Sequence, residues 1–407
     1  MTCLRSHAWG SGAARLCYAF YINVYPNTRI FDVPERLRIA LLIDRFGRRF
    51  GGAEAYGVNV FEVLAQRHDV TVIAHDFEHT LPVKQIQVSS SRRWPSWIRV
   101  WLFARAAARL TRDNYDVVHS HMNGGAGQIH VIHVVPIRHR RIFAKTWWQK
   151  IAVYLQPSNV MYLLLEAAAM RPKPGSCVVA VSPWLKDRIH EAYGTPLAVQ
   201  TIAPGASFVA PDPLVRARVR NELSCVPIEV VCLLVARNPM RKGLAAVLRA
   251  LERLPEHFRL IVVGAQPQIK DYVSVNHPGL VSRISLVAPT PDVSSYYQAA
   301  DVYVHPTLLD SFGLAPFEAM AHGLPVLLSG PQYCGFGRYV THRHDAWVLT
   351  DPEDASEIAQ GLGQLMTDSV LRAKILTNSL KLVESLSWEQ AAQKFEALYA
   401  ESIEARR

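Results

Sequence analysis

Two carboxylates eight positions apart, Asp310 and Glu318, bracket the loop Phe312-Gly313-Leu314 within the stretch DSFGLAPFEAMAHGLPVLLSG. A carboxylate accepts two hydrogen bonds side by side, which matches the paired hydroxyls of a sugar or ribose. Free backbone N–H groups at the start of the helix expected after this loop, aided by its dipole, suit a phosphate. A second constellation lies in ARNPMRKGL, where Arg241 and Lys242 precede a helical pattern of Leu244, Val247, Leu248, Leu251 and Leu254. Two cations at a helix N-terminus oppose its dipole, so an anion between them is the more comfortable arrangement. The two stretches together ask for a ligand carrying both phosphate and diol. Spacing alone also admits a plainer reading, in which Glu318 caps its own helix and Asp310 is a solvated turn residue.

Such side chains need elements to hold them. The run DVYVHP (residues 301–306) reads as a strand feeding the Asp310 loop, and LRIALLI (37–43) as a strand feeding DRFGRRFGGAEAYG and then a helix to about Gln66. Gly51 and Gly52 have no Cβ and let backbone amides approach a ligand closely; Glu54 follows as a candidate acceptor contact. A dinucleotide-binding G-x-G-x-x-G is absent, which counts against an oxidoreductase. Further apolar runs are VTVIA, DVVHSH, IHVIHVV and CVVAVS in the first half and VVCLLVA, RLIVVG, ISLVAP and PVLLSG in the second. Continuous apolar runs separated by helical stretches indicate buried parallel sheets, hence an α/β protein. Ligands of such sheets bind off the carboxyl ends of the strands, which puts His119, His121 and Asn123 at a rim; His121 is nearer the strand end than His119. Ala203-Pro204-Gly205 and the PDP at 211–213 mark a boundary between domains at 37–205 and 206–385, with a packed helix in 386–407. Residues 1–36 lack the basic head and clean cleavage site of a signal peptide and read as an extension.

Of the 407 residues half are apolar, enough for two cores, and no run of eighteen uncharged apolar residues is present to span a bilayer. The six cysteines form no C-x-x-C pair, which argues against a zinc ribbon or redox dithiol and fits a reduced, cytoplasmic setting. His119, His121, His130, His133 and His139 show no ligand spacing supported by a carboxylate, so no metal site is expected. Charge is uneven: residues 1–205 hold 25 Lys+Arg against 13 Asp+Glu, and Lys84 to Lys150 alone holds 12 against 2. An anionic partner for the first half follows. Two stretches mix this charge with aromatics, one carrying Arg105, Arg109 and Arg112 at helical spacing, the other Arg138, Arg140, Arg141, Trp147 and Trp148. Tryptophan beside cations suits the boundary of an anionic membrane. Without a reader motif or stacking platform, nucleic acid is not expected as a partner.

The Asp-x7-Glu pattern at Asp310 and Glu318, the RKG at 241–243 and the GGAE at 51–54 closely resemble the signatures of family 4 glycosyltransferases, retaining enzymes of the GT-B fold. The resemblance covers the chain from about Leu37 and is strongest from Val230 to Val340. It implies two Rossmann-like, doubly wound parallel-sheet domains facing a central cleft, with the terminal helix bracing the first. It also implies hexosyl transfer from a nucleoside diphosphate sugar, foremost a UDP-sugar, with no cofactor or metal. Arg241 and Lys242 would clamp the diphosphate, with Gly51, Gly52, Phe312, Gly313 and Leu314 around the donor. Glu318 would hold the ribose diol, and Asp310 and His121 hydroxyls of the donor sugar. Many members of the family have Glu where this chain has Asp310, a reach shorter by about 1.5 Å. The lipopolysaccharide core glucosyltransferases, which the chain also resembles, carry a comparable basic aromatic region. That likeness implies a lipid-linked glycan acceptor, a role in lipopolysaccharide core or other cell-surface polysaccharide synthesis, and attachment to the inner face of the cytoplasmic membrane. Two other classes share parts of these features: a nucleotide-sugar 2-epimerase, and a non-catalytic membrane-binding relative.

Overall fold

Apolar runs with no polar alternation are stable only where both faces of a sheet are covered, and the central strands are buried along nearly their whole length. The computed structural model describes residues 36–91, 93–143 and 145–407; of the N-terminal extension expected at 1–36, residues 1–35 lie outside the described residues. Strands of the first lobe are β1 (Arg38–Leu42), β2 (Arg45–Phe46), β3 (Asp69–Ala74), β4 (Asp76–Phe77), β5 (Lys84–Gln87), β6 (Val117–Ser120), β7 (Ile129–Ile132), β8 (Cys177–Ala180) and β9 (Val199–Thr201). Seven of them form a parallel sheet in the order β5-β3-β1-β6-β7-β8-β9, while β2 and β4 pair separately. The chain steps outward from β1 through β3 to β5, then returns to place β6 on the other side of β1. The gap between the carboxyl ends of β1 and β6 is therefore a topological switch point, where ligands of open α/β sheets bind.

The second lobe repeats the plan with β10 (Val230–Val235), β11 (Phe258–Val263), β12 (Ile284–Val287), β13 (Val302–His305), β14 (Val326–Ser329) and β15 (Trp347–Leu349). Their order is β12-β11-β10-β13-β14-β15, all parallel, with the switch point between β10 and β13. Cys232, Leu234, Leu260, Val262, Val302 and Val304 face helix Leu244–Leu251 and helix Ala355–Thr367 in one core. Strands β5, β9 and β15 were not read from the sequence, and each lies at the edge of a sheet. An edge strand keeps one side open, so a short polar segment such as KQIQ serves.

Helix Trp388–Glu404 lies on the first lobe although it ends the chain. Its Glu396 takes Arg67 at 3.1 Å, its Ser402 Oγ donates to Gly175 O at 2.5 Å, and its Tyr399 Oη lies 2.6 Å from His119 Nδ1. The two chain crossings between lobes run side by side, joined by Ala206 N to Leu386 O at 3.0 Å. The lobes also touch directly: Ser182 Oγ donates to Ser311 O at 2.5 Å and Trp184 Nε1 to Gln332 O at 3.1 Å. The carboxyl end of β8 thus meets the loop that carries Asp310.

Candidate active site between two switch points

On the second lobe, the loops leaving β10 and β13 are locked together by a glycine. Gly243, with φ 87°, opens helix Leu244–Leu251 and passes so near Pro306 that a Cβ would lie 2.0 Å from Pro306 O. The tight turn Met240–Lys242 before it aims the Lys242 ammonium at Asp310 Oδ2, which also takes His305 Nε2 at 3.0 Å. Burial raises the Asp310 carboxyl, but the His305 hydrogen bond and the Lys242 charge outweigh it and hold the group well below the usual carboxylate range. Asp310 is therefore no solvated turn residue. Its backbone is pinned as well, N–H to Tyr333 O and C=O from Gly335 N, both at 2.9 Å.

Helix Leu314–Ala321 follows, capped by Gly313 at φ 100° with no side-chain cap, and among the described residues no acceptor takes the amides of Gly313, Leu314 or Ala315. Glu318 does not cap this helix: it sits in the second turn, where its Oε2 accepts from Tyr297 Oη at 3.1 Å. Burial pushes the Glu318 carboxyl up to about 7, with the Tyr297 hydrogen bond opposing only part of the rise. Phe312 departs from the expectation of a donor contact. Its ring is buried against Phe317, Phe336 and Tyr339, so it shapes the loop from behind.

Across the cleft, the glycine loop after β1 faces these groups. A Cβ on Gly52 would lie 4.0 Å from Leu314 Cδ2, and one on Gly51 would lie 4.0 Å from Arg237 Nη1. Arg237, at the carboxyl end of β10, donates to Arg49 O in that loop. It is not among the site residues expected from the sequence, although three cations within ARNPMRKG were a signal. The expected Arg241-Lys242 pair divides: Lys242 turns in to Asp310, while Arg241 is exposed and its guanidinium has no partner among the described residues. Glu54 pairs with Arg45 at 3.2 Å, and the Asn123 side chain makes no hydrogen bond among the described residues. His119 is fully buried, whereas His121 reaches the rim half-buried. A recess of about 620 Å³ beside β15, lined in part by His342, Arg343 and Glu357, contains none of these groups.

The basic aromatic segments lie on the first lobe. Arg105 covers the Trp101 ring at 4.8 Å and Arg109 is exposed on helix Ser96–Leu110. Buried Glu166 accepts the amides of Ile137 and Arg138 at 2.5 and 2.9 Å, anchoring helix Ile137–Arg141, and Arg138 lies over Tyr193 at 5.2 Å. Arg140, Arg141, Lys145 and Gln149 line a recess of about 270 Å³. Helix Trp147–Tyr154 buries none of its residues, and the stacked Trp147 and Trp148 are 58% and 66% exposed. No helix among the described residues is long and apolar enough to cross a membrane.

Two half-sites at two facing switch points, one of glycine loop and histidines, the other of cations, carboxylates and free amides, coincide with two family matches. Residues 50–207 match the model described as Glycosyltransferase Family 4, and residues 229–368 the model described as Glycosyl transferases group 1. Gly51, Arg237, Lys242, Asp310 and Glu318 all fall inside the matched segments. The chain belongs to glycosyltransferase family 4. Among its relatives is the D-inositol 3-phosphate glycosyltransferase of Corynebacterium diphtheriae, 29% identical over 231 residues, 53% of each chain, so that the chain spans about half the length of that relative. Another is the lipopolysaccharide glucosyltransferase WaaG of Escherichia coli, 31% identical over 136 residues, 32% of this chain and 36% of WaaG. A crystal structure of WaaG, a glycosyltransferase involved in lipopolysaccharide biosynthesis, superposes with a TM-score of 0.74 at 21% identity, covering 88% of this chain and 98% of that one. Anabaena HepE in complex with UDP-glucose does so with a TM-score of 0.67 at 18% identity, covering 91% and 100%. These likenesses establish the two-lobed GT-B architecture of the family.

Proposed function

We propose that this family 4 member moves a hexose, with retention, from a nucleoside diphosphate sugar to a hydroxyl of a lipid-linked glycan at an anionic membrane surface. The observation that carries the reading is the convergence at the second switch point of Lys242 on Asp310, the free amides of Gly313 and Leu314, and the half-buried Glu318. Arg237, Arg241, Lys242 and those amides stabilise charge growing on the departing diphosphate, so that protein cations do the work a metal would otherwise do. Glu318 takes the ribose diol and Asp310 a sugar hydroxyl. The bond from the anomeric carbon to the diphosphate oxygen breaks while one to the acceptor oxygen forms on the same face, and the acceptor proton leaves with the diphosphate. HepE, of like fold, has been solved with UDP-glucose, which supports a uridine diphosphate donor. The exposed Trp147 and Trp148 beside the recess of Arg140, Arg141 and Lys145 support peripheral attachment to an anionic leaflet, the cytoplasmic face, and a lipid-linked acceptor. A role in lipopolysaccharide core synthesis rests on the likeness to WaaG.

A thermal-shift panel of UDP, UDP-glucose, UDP-galactose, GDP-mannose and ADP-glucose tests the donor. At a hundred times Kd a ligand stabilises by about 2.7 kcal/mol, a rise of several degrees, which at least one of these is expected to produce. A flat panel, or a Glu318→Ala protein with unchanged donor affinity and transfer, would refute the assignment.

A further inference from the structure

The hydroxyl of Tyr297 stands between two acceptors and has one proton to give. Its Oη lies 3.1 Å from Ala315 O and 3.1 Å from Glu318 Oε2, so the same phenol reaches the first and second turns of helix Leu314–Ala321. The ring is fixed in that place. It is buried on helix Ser294–Ala299 and stacked on His322 with the centroids 4.7 Å apart. His322 is itself tied at both nitrogens, donating from Nδ1 to Glu318 O at 2.7 Å and accepting at Nε2 from Ser294 Oγ at 2.8 Å. Helix Ser294–Ala299 therefore grips Glu318 twice, through Tyr297 at the carboxyl and through Ser294 and His322 at the carbonyl.

A buried polar group needs a partner in every ionisation state it visits. Tyr297 supplies one in both. To the ionised Glu318 it donates its proton; to the neutral carboxyl it presents an oxygen lone pair, and its own proton then falls to Ala315 O. The Glu318 proton can thus come and go without either side chain moving. Burial pushes this carboxyl up to about 7, the Tyr297 hydrogen bond opposing part of the rise, so both states are populated near neutral pH. The titratable groups that face it among the described residues are Tyr297, Tyr303 from β13 and His322 at the end of its own helix, and burial, first among the causes, keeps all three neutral. Strand β14, the turn Gly335–Arg338 and helix Ser369–Ser385 also pack on helix Leu314–Ala321, and among the described residues they turn no charge toward the Glu318 carboxyl. A diol brings two hydroxyl protons, and only the ionised carboxylate can accept both while still holding Tyr297.

We propose that binding of the donor's ribose diol drives the proton of Glu318 into solution, and that Tyr297 is the positioning residue which holds the carboxyl in both states and turns its hydrogen bond as the proton leaves. The Glu318 O–H bond breaks, the proton passes to water, and the carboxylate accepts the two hydroxyls beside Tyr297. This coupling rests on the transferase reading, and the experiment separates them. Calorimetry with UDP-glucose, or whichever nucleotide sugar the panel selects, is run at pH 7 in phosphate and in Tris, whose different heats of ionisation report proton exchange. The wild type is expected to release about half a proton per nucleotide sugar bound, and Glu318→Gln none. Tyr297→Phe removes the hydrogen bond that favours the ionised form, so Glu318 starts more fully protonated. Release is expected to rise toward one proton, with affinity about tenfold below the wild type at pH 6 and within about threefold of it at pH 8.5. An equal loss at both pH values overturns the role of Tyr297, and a wild type that releases no proton overturns the coupling whether or not the variant folds. If no nucleotide sugar binds at any pH, the transferase reading fails and the assigned ligand with it. Carboxyl ¹³C spectra of the free, glutamate-labelled protein then decide the role of Tyr297: a Glu318 midpoint near neutral pH that moves up in Tyr297→Phe supports it, and one in the ordinary carboxylate range overturns it.

Discussion

Burial pushes the Glu318 carboxyl up to about 7 from an unfolded value of 4.5, and this sets two opposite pH dependences at one residue. A group with a raised folded pKa contributes stability that is complete below the unfolded value and is lost as pH rises through the folded one. Glu318→Gln is therefore expected to be more stable than the wild type at pH 8 by about 1–3 kcal/mol and to match it near pH 4, as melting curves at the two pH values would show. Diol recognition needs the ionised form, so donor affinity in the wild type is expected to rise from pH 6 to 8, and in Glu318→Gln to stay low and flat. Asp310 is the reverse case, since its depressed carboxyl adds stability above the usual carboxylate range that is lost as pH falls below it. Asp310→Asn leaves Lys242 and buried His305 without their carboxylate and is expected to cost about 2–4 kcal/mol by urea denaturation. Asp310, Glu318 and Lys242 were legible as types at a spacing. Arg237 and Tyr297 were not, because each matters through a neighbour brought to it by the fold: the Arg49 carbonyl and Glu318.

The elements place these groups through a few inflexible junctions. Gly243→Ala would need an L-residue at φ 87° and a methyl 2.0 Å from Pro306 O, so the loops after β10 and β13 would have to part. A loss of at least about 2 kcal/mol in chemical denaturation is expected, together with loss of the donor-induced rise in Tm. The central strands were readable because each is a continuous apolar run. Their edge partners β5, β9 and β15 were not, since an edge tolerates polar residues and carries no pattern of its own. Helix Trp388–Glu404 showed its apolar stripe in the sequence; its seat against His119 and Gly175 depends on contacts more than two hundred residues distant.

Across the whole molecule, part of the positive excess of the first half lies on one exposed feature, the Arg140, Arg141 and Lys145 recess with helix Trp147–Tyr154 beside it. Each basic residue near an anionic leaflet contributes roughly 1 kcal/mol, so neutralising all three is expected to weaken binding to phosphatidylglycerol-rich vesicles about a hundredfold in flotation assays. Wild-type binding is expected to fall with added salt. Arg138 is the wrong residue to remove in that test, because it lies over Tyr193 on a helix anchored by Glu166.

What the amino-acid order settled by itself was the class. Apolar runs between helical stretches dictate parallel sheets, while the carboxylates, cations and glycines asked for phosphate and diol beside a plainer reading as a helix cap and a turn residue. The tertiary structure decided which of these groups act together. The switch point of each sheet depends on strand order, which local pattern does not encode. The ionisation of Glu318 depends on burial and on Tyr297, and the seat of His119 on Tyr399, both of which arrive from elsewhere in the chain. Burial and long-range hydrogen bonding exist only once the chain has closed on itself.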